Sequence, residues 1–391
     1  MEYFVFTIAE LLLLGATIAL FVIQFLYYQI TYLRPYRKMW HQNKLPKQDE
    51  QPPVSIIVYA NNESFNLKEN LPPLLSQDYP AYEVIVINDG STDESDNVLK
   101  LFENEYPNLY HTFIPQESKY LSRRKLSLMI GIKAARYDIL FFIEAKCRPL
   151  TNKWLAAMAG NYTPQTMIVL GFCAYRASKG FFHKLVSYDN LLSGLQYISA
   201  TMINRPYSGD GRNLSYRKSL FYEQAGYKHS LNLHAGDDDL FVNESATGEN
   251  TRVEYAPDSL TEMRPFECFA DWKEMKVSRI ATRKHFKGNR LAFYRMENLS
   301  ATFFLLAVTA SVVTGLSGYN PLTAGIALLL YLLLYVEKAV VLQKLSVLLQ
   351  QRPFTGWLPF LEIAHLFTDF YIHIFRFFHR KRDYTFTIGG K

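Results

Sequence analysis

Three neighbouring carboxylates stand in the string Gly236-Asp237-Asp238-Asp239-Leu240. Adjacent negative charges repel one another, which lifts the pKa of at least one of them. A carboxylate tuned in this way suits a general base or a metal site. The same string also reads as an acidic helix start favoured by the helix dipole. Upstream, Gly209-Asp210-Gly211-Arg212-Asn213 is a glycine-rich polar loop in which backbone can approach a ligand closely. Asn88-Asp89-Gly90-Ser91-Thr92-Asp93 offers a carboxylate that can accept a hydrogen bond from a nucleobase N–H. Its Ser-Thr-Asp run can equally cap a following helix. Glu144-Ala145-Lys146-Cys147-Arg148 sets opposite charges side by side.

These groups need elements to hold them. Apolar runs at residues 54–59, 83–87, 109–114 and 138–143 read as strands, and 66–76, 95–106 and 123–135 as helices between them. Strand–helix alternation with apolar strands predicts an α/β domain with a mostly parallel, Rossmann-like sheet covered on both faces. In such sheets ligands bind beyond the C-terminal ends of the strands. Asp89 and Glu144 follow two of those ends.

The two ends of the 391-residue chain are apolar. Residues 1–33 form an expected transmembrane anchor, long enough to span a bilayer. Arg34, Arg37 and Lys38 follow at once, which puts the N-terminus outside and the rest in the cytoplasm. A polar, proline-bearing linker is expected over 34–53, the catalytic domain over 54–297 and a helical hairpin over 298–345. The expected place is the cytoplasmic (inner) membrane. In 354–391, Glu362, His365, Asp369, His373 and Arg376 recur every three or four residues and share one helix face. That face could bind metal or relay protons, or be the polar side of a helix lying in the interface. Arg352 and Arg380-Lys381-Arg382 flank it and favour a helix that does not cross.

Taken in order, Ile56-Ile-Val-Tyr-Ala-Asn-Asn-Glu63, Val84-Ile-Val-Ile-Asn-Asp-Gly-Ser-Thr-Asp93, Gly211-Arg-Asn-Leu-Ser-Tyr-Arg-Lys-Ser-Leu-Phe221 and Gly236-Asp-Asp-Asp-Leu-Phe-Val-Asn243 resemble the family 2 glycosyltransferases, which have a GT-A fold. The likeness is to membrane-bound bacterial members with one N-terminal anchor and a C-terminal hairpin. It implies an inverting transfer from a nucleotide-sugar to a lipid-linked or cell-surface glycan. Carried over by position, Ala60, Asn62 and Glu63 lie near the nucleotide, Asp89 holds the base, and Arg124 stands where the family often has Lys. Gly211, Arg212 and Asn213 take the acceptor side. Asp238 is the catalytic base, with Asp237 beside it.

The chain departs from that pattern twice. The family usually has Asp-x-Asp after the fourth strand, holding Mg²⁺ or Mn²⁺ against the diphosphate. Here Glu144-Ala145-Lys146 stands there. An ammonium cannot ligate a metal but can offset phosphate charge directly. Glu144 is left to hold Lys146 in place or to ligate weakly. Where the family has Gln-x-x-Arg, this chain has Met275-Lys276-Val277-Ser278-Arg279. Arg279, Arg283 and His285 could supply the missing cation, or simply form the basic flank of the next membrane helix. The second reading of the whole chain is a degenerate GT-A protein serving as partner or scaffold of an active transferase.

Other classes fit less well. Three scattered cysteines with no C-x-x-C argue against a disulfide scaffold or a zinc site. The net charge of +6 gathers beside the apolar segments, as contact with anionic lipid would favour. No basic-aromatic stripe argues for nucleic acid. The hairpin is too apolar for a permeation path, and the membrane helices are too few for polymer export.

Overall fold

The computed structural model describes residues 6–42, 51–115, 122–318 and 320–379. The basic tail and residues 43–50 of the expected linker lie outside the described residues. The chain opens with α1 (Ile8–Leu26), a π-helical stretch (Tyr27–Tyr32) and α2 (Arg34–Gln42). Then come β1 (Val54–Ala60), α3 (Ser64–Leu75), β2 (Tyr82–Asn88), α4 (Ser95–Glu105), β3 (Leu109–Phe113), α5 (Arg123–Ala134) and β4 (Ile139–Glu144). The second half holds β5 (Cys147–Pro149), α6 (Trp154–Ala159), β6 (Ile168–Leu170), β7 (Cys173–Tyr175), α7 (Phe181–Met202), β8 (Leu214–Arg217), α8 (Lys218–Glu223), α9 (Asp239–Ser245), β9 (Thr251–Val253), β10 (Thr261–Met263) and α10 (Phe269–Arg283). The chain ends in α11 (Arg290–Ser317), α12 (Pro321–Leu348) and α13 (Leu358–Phe378).

The seven-stranded sheet runs β3-β2-β1-β4-β8-β6-β9. Strands β3, β2, β1 and β4 are mutually parallel, as their apolar runs require. Strand β8 is antiparallel to β4, with Leu214 opposite Phe142. The loop before β8 therefore returns to the C-terminal end of β4. That is how residues 209–213 reach the same edge as Glu144. A small sheet, β5-β10-β7, extends this edge.

Among the described residues, three helices are long and apolar enough to cross a membrane: Ile8–Met39, Leu291–Ser317 and Pro321–Leu348. Some of their polar groups pair with one another, as a lipid environment favours. Gln24 donates from Nε2 to the Glu297 carbonyl at 3.0 Å and to Ser300 Oγ at 2.8 Å. Glu10 accepts from Thr323 Oγ1 at 3.2 Å beside the hairpin turn.

Three segment expectations shift. Residues 34–42 are helix rather than tether, and Tyr255 hydroxyl donates to the Pro35 carbonyl at 3.1 Å, docking α2 on the sheet domain. The hairpin starts at Arg290, so residues 290–297 belong to α11. Most of the polar face of α13 meets protein, while His373 stays exposed. Glu362 pairs with Lys338 at 2.7 Å, His365 with Asp189 at 3.0 Å, and Asp369 with Lys276 at 3.0 Å. Its apolar side, with Phe360, Phe367, Phe370 and Phe377, is exposed.

Candidate active site

The strand register levels the C-terminal edge: Ala60 faces Asn88, and Tyr59 faces Glu144. The two loops after β1 and β2 are sewn together there. Asp89 N–H donates to the Ala60 carbonyl at 2.8 Å. Asn62, in the left-handed region at φ 54°, donates its N–H to Ser91 Oγ and accepts from Thr92 N–H, both at 2.8 Å. Glu63 N–H reaches Ser95 Oγ at 3.0 Å. The buried Asp89 carboxylate accepts from Tyr59 hydroxyl at 2.9 Å and pairs with Arg123 at 2.6 Å.

Arg124 is the hub of the edge. It meets Glu144 at 2.8 Å and Asp237 at 2.9 Å, and its guanidinium lies 5.1 Å over the Tyr59 ring. The expected Glu144–Lys146 pairing is therefore corrected. Glu144 is taken by Arg124, and the half-exposed Lys146 reaches Glu63 at 3.5 Å. Lysine is longer than the aspartate it replaces, and its head extends past β4 to the β1 loop.

Asp238 caps α9. Its Oδ1 accepts from Asp239 N–H at 2.7 Å and its Oδ2 from Gly211 N–H at 2.9 Å. A Cβ at Gly211 would stand 3.2 Å from Asp238 Cβ, so glycine permits the approach. Burial, then the charges of Asp239, Asp237 and Asp210, push the Asp238 carboxyl up to about 7, with Arg279 opposing them. Burial also raises Asp239, against a Thr282 hydroxyl bond and the Arg279 and Arg283 charges. The string opens a helix, and the same burial and crowding raise the Asp238 carboxyl.

Two expected acceptor residues turn inward. Arg212 is buried, bonded to Asp210 Oδ1 and Asn190 Oδ1 at 2.8 Å and to Tyr175 hydroxyl at 2.9 Å. Asn213 accepts from Trp154 Nε1 at 3.1 Å and donates to the Phe172 and Ser259 carbonyls at 3.0 and 2.8 Å. Their polar groups are spent on holding the loop, and within this string it is Gly211 that meets Asp238. Arg279 turns inward to Asp210 at 3.1 Å, so it faces the acidic cluster rather than forming a basic flank.

Sequence reasoning missed Lys125. It is fully buried, and its ammonium donates to the carbonyls of Ser230, of Leu233 at 3.2 Å and of Ala235 at 2.7 Å. Burial pulls it down to about 8 against the upward pull of Asp237, Asp239 and Asp238. It pins the loop that delivers the three aspartates. The sequence carries no local signal for it, because the carbonyls it holds lie 105 or more residues away.

Tyr59, Arg124, Phe142, Gly211, Asp237 and Asp238 close around a space of about 10 Å³.

Comparison with known proteins agrees with this architecture. Residues 55–224 match the family described as glycosyl transferase family 2. Glycosyltransferase AglE of Haloferax volcanii is 33% identical over 107 residues, which are 27% of this chain and 33% of the relative. The poly-beta-1,6-N-acetyl-D-glucosamine synthase of Staphylococcus epidermidis is 29% identical over 92 residues, 24% of this chain and 21% of the relative. The chain thus spans a third or less of these curated relatives. A mannosyltransferase from Pyrobaculum calidifontis, solved with GDP-Man and Mn²⁺, superposes with a TM-score of 0.56 at 18% identity, over 89% of this chain and 99% of that one.

That metal invites a test of the residues here. A divalent cation takes oxygen ligands. Lys146 offers none, and the Glu144 carboxylate is held by Arg124 at 2.8 Å. These residues do not fit a metal. Elsewhere, Asp189, His365 and Asp369 bring three ligand atoms within 4.8 Å of one another. Lys276 Nζ lies 2.6 Å from Asp189 and 3.0 Å from Asp369, so an ammonium already supplies the positive charge there. By its matched residues, its sheet order and its superposition, the chain carries a glycosyl transferase family 2 domain on a GT-A fold.

Proposed function

We propose that the protein is an inverting glycosyltransferase that moves a sugar from a nucleotide-sugar to a lipid-linked or cell-surface glycan. The observation that carries this is Asp238, held at the strand edge by two backbone N–H groups and poised near neutral pH. In the reaction the acceptor hydroxyl attacks the anomeric carbon from the face opposite the diphosphate. Asp238 takes the hydroxyl proton as the new C–O bond forms. The old C–O bond breaks, and its electron pair leaves with the nucleoside diphosphate. Arg124 and Lys146 would offset that charge. Asp89 would hold the base once Arg123 yields, and Asn62 and Glu63 would shape the nucleotide side.

The three apolar helices would hold the domain at the cytoplasmic face of the inner membrane, with the N-terminus outside. The exposed aromatic side of α13 would rest in the same interface.

A second reading, a degenerate domain acting as partner or scaffold, is favoured by one feature. Arg124, Glu144 and Asp237 satisfy one another and nearly close the cleft. Calorimetry of the detergent-solubilised chain with UDP-, dTDP- and GDP-sugars, GDP-mannose included, separates the two. Donor binding in EDTA that is lost in Lys146→Ala supports the transferase with lysine in the metal's place. No binding of any donor, with or without Mn²⁺, from folded protein supports the scaffold.

A further inference from the structure

A second cavity, of about 470 Å³, lies away from the strand edge. That is the size of an ordinary ligand site, roughly 300–1,000 Å³. It forms where the end of α7 meets the start of α11, lined by Ile203, Asn204, Arg205, Asn289, Phe293 and Tyr294 among others. The apolar span begins at Leu291, so the cavity stands where the chain enters the membrane layer. Its walls match that level. Ile203, Phe293 and Tyr294 are apolar or aromatic, whereas Asn204, Arg205 and Asn289 are polar and exposed.

Two groups in it lack partners among the described residues. The Arg205 guanidinium makes no ion pair or hydrogen bond with them. Tyr294 is 3% exposed, and its hydroxyl has no hydrogen-bond partner. Buried hydroxyls are nearly always paired, and an exception calls for a ligand or water.

The cavity is linked to the acidic cluster. Tyr294 stacks on Tyr207 with centroids 5.4 Å apart, and Tyr207 lines a neighbouring pocket with Asp210, Asp239 and Arg279. The backbone from Arg205 to Asp210 can span at most about 18 Å. A group bound at Arg205 therefore lies within a sugar-bearing headgroup's reach of that cluster.

We propose that this cavity binds the phosphate head of a membrane lipid, with Arg205 as counter-ion, the Tyr294 hydroxyl as donor, and Ile203 and Phe293 against the start of the hydrocarbon chain. The lipid's role as acceptor rests on the transferase reading. Its binding does not.

Native mass spectrometry of the full-length protein, released from micelles doped in turn with a polyprenyl phosphate, the matching polyprenol and phosphatidylglycerol, tests this. The polyprenyl phosphate is retained and the polyprenol is not. Arg205→Glu lowers retention about tenfold or more, and Arg205→Lys keeps most of it. Tyr294→Phe lowers it a few-fold, and the thermal midpoint of each variant stays that of the parent. Equal retention of phosphatidylglycerol, lost in Arg205→Glu, assigns the phosphate to bulk lipid and upholds the site. Retention that ignores Arg205→Glu, or that is equal for polyprenol, overturns it. Donor binding failing while lipid retention stands sinks the transferase reading alone, and the converse sinks this proposal alone.

Discussion

The Gly211 amide donates to Asp238 Oδ2 across 2.9 Å, in a gap that leaves a Cβ only 3.2 Å from the aspartate's own Cβ. A methyl at Gly211 must push Asp238 aside. Gly211→Ala is expected to lower kcat about tenfold or more while donor affinity holds, because displacing a base by a fraction of an ångström is enough to cost rate. Steady-state kinetics with a separate donor-binding titration checks it. An unchanged kcat would mean that Asp238 does not act from this position.

The Asp238 carboxyl is pushed up to about 7 by burial and by its acidic neighbours, while Arg279 holds it down. Only the ionised form can accept a proton. The rate should therefore rise with pH through neutrality and level off above it. Removing the cation in Arg279→Gln should move that limb to higher pH, by about half a unit to one unit. A pH–kcat/KM profile of both proteins reads this directly. A limb that stays in place assigns the titration to another group.

Lys146 stands where a metal-binding aspartate is usual, and Glu144 is tied to Arg124. Lys146→Asp should convert a metal-indifferent protein into one whose donor binding needs Mn²⁺ or Mg²⁺, because it restores an oxygen ligand and removes the cation. Calorimetry in EDTA and in Mn²⁺ decides. A parent protein that already needs the metal ends the idea of lysine in its place.

Much of this was legible because the signals were local. The strands β1, β2 and β4 are short apolar runs, and a run carries its own evidence. The acidic string and the glycines before β8 are likewise contiguous. The inward bonding of Arg212 and Asn213 was not legible because their partners are distant in sequence. Asn190, Trp154 and Ser259 give no sign, from one position, that they will claim those side chains. The polar face of α13 was seen, but its partners Lys338, Asp189 and Lys276 lie on three other helices. Periodicity reports that a face is polar and not what it meets.

Lys125 shows what such an unseen contact does. Its ammonium holds the carbonyls of residues 230, 233 and 235, just before the three aspartates. Lys125→Met would leave those carbonyls buried without a donor. A cost of roughly 2–4 kcal/mol is expected, together with loss of turnover. Thermal unfolding beside an activity assay tests it. Full turnover in a folded Lys125→Met protein would show that the loop needs no pin.

His365 on α13 faces Asp189 of α7 at 3.0 Å and Asp369 of its own helix at 3.8 Å, with Lys276 of α10 bonded to both carboxylates. Burial lowers the imidazole pKa, but the two carboxylates outweigh burial and Lys276 and leave it raised above 6.5. The folded state thus holds the His365 proton more tightly than the unfolded chain does. Its contribution to stability is complete below that ordinary value and fades as pH rises through the folded one. Asp189 is held well below the usual carboxylate range by Lys276 and His365 despite its burial, so its own contribution does not change in this window. The thermal midpoint of the solubilised protein should therefore fall from mildly acidic to mildly alkaline pH. His365→Gln should flatten that fall, and Lys276→Met should leave His365 with two carboxylates and steepen it. A midpoint that rises with pH, or a His365→Gln protein with the parent's slope, would show that α13 is held to the domain by its other contacts alone.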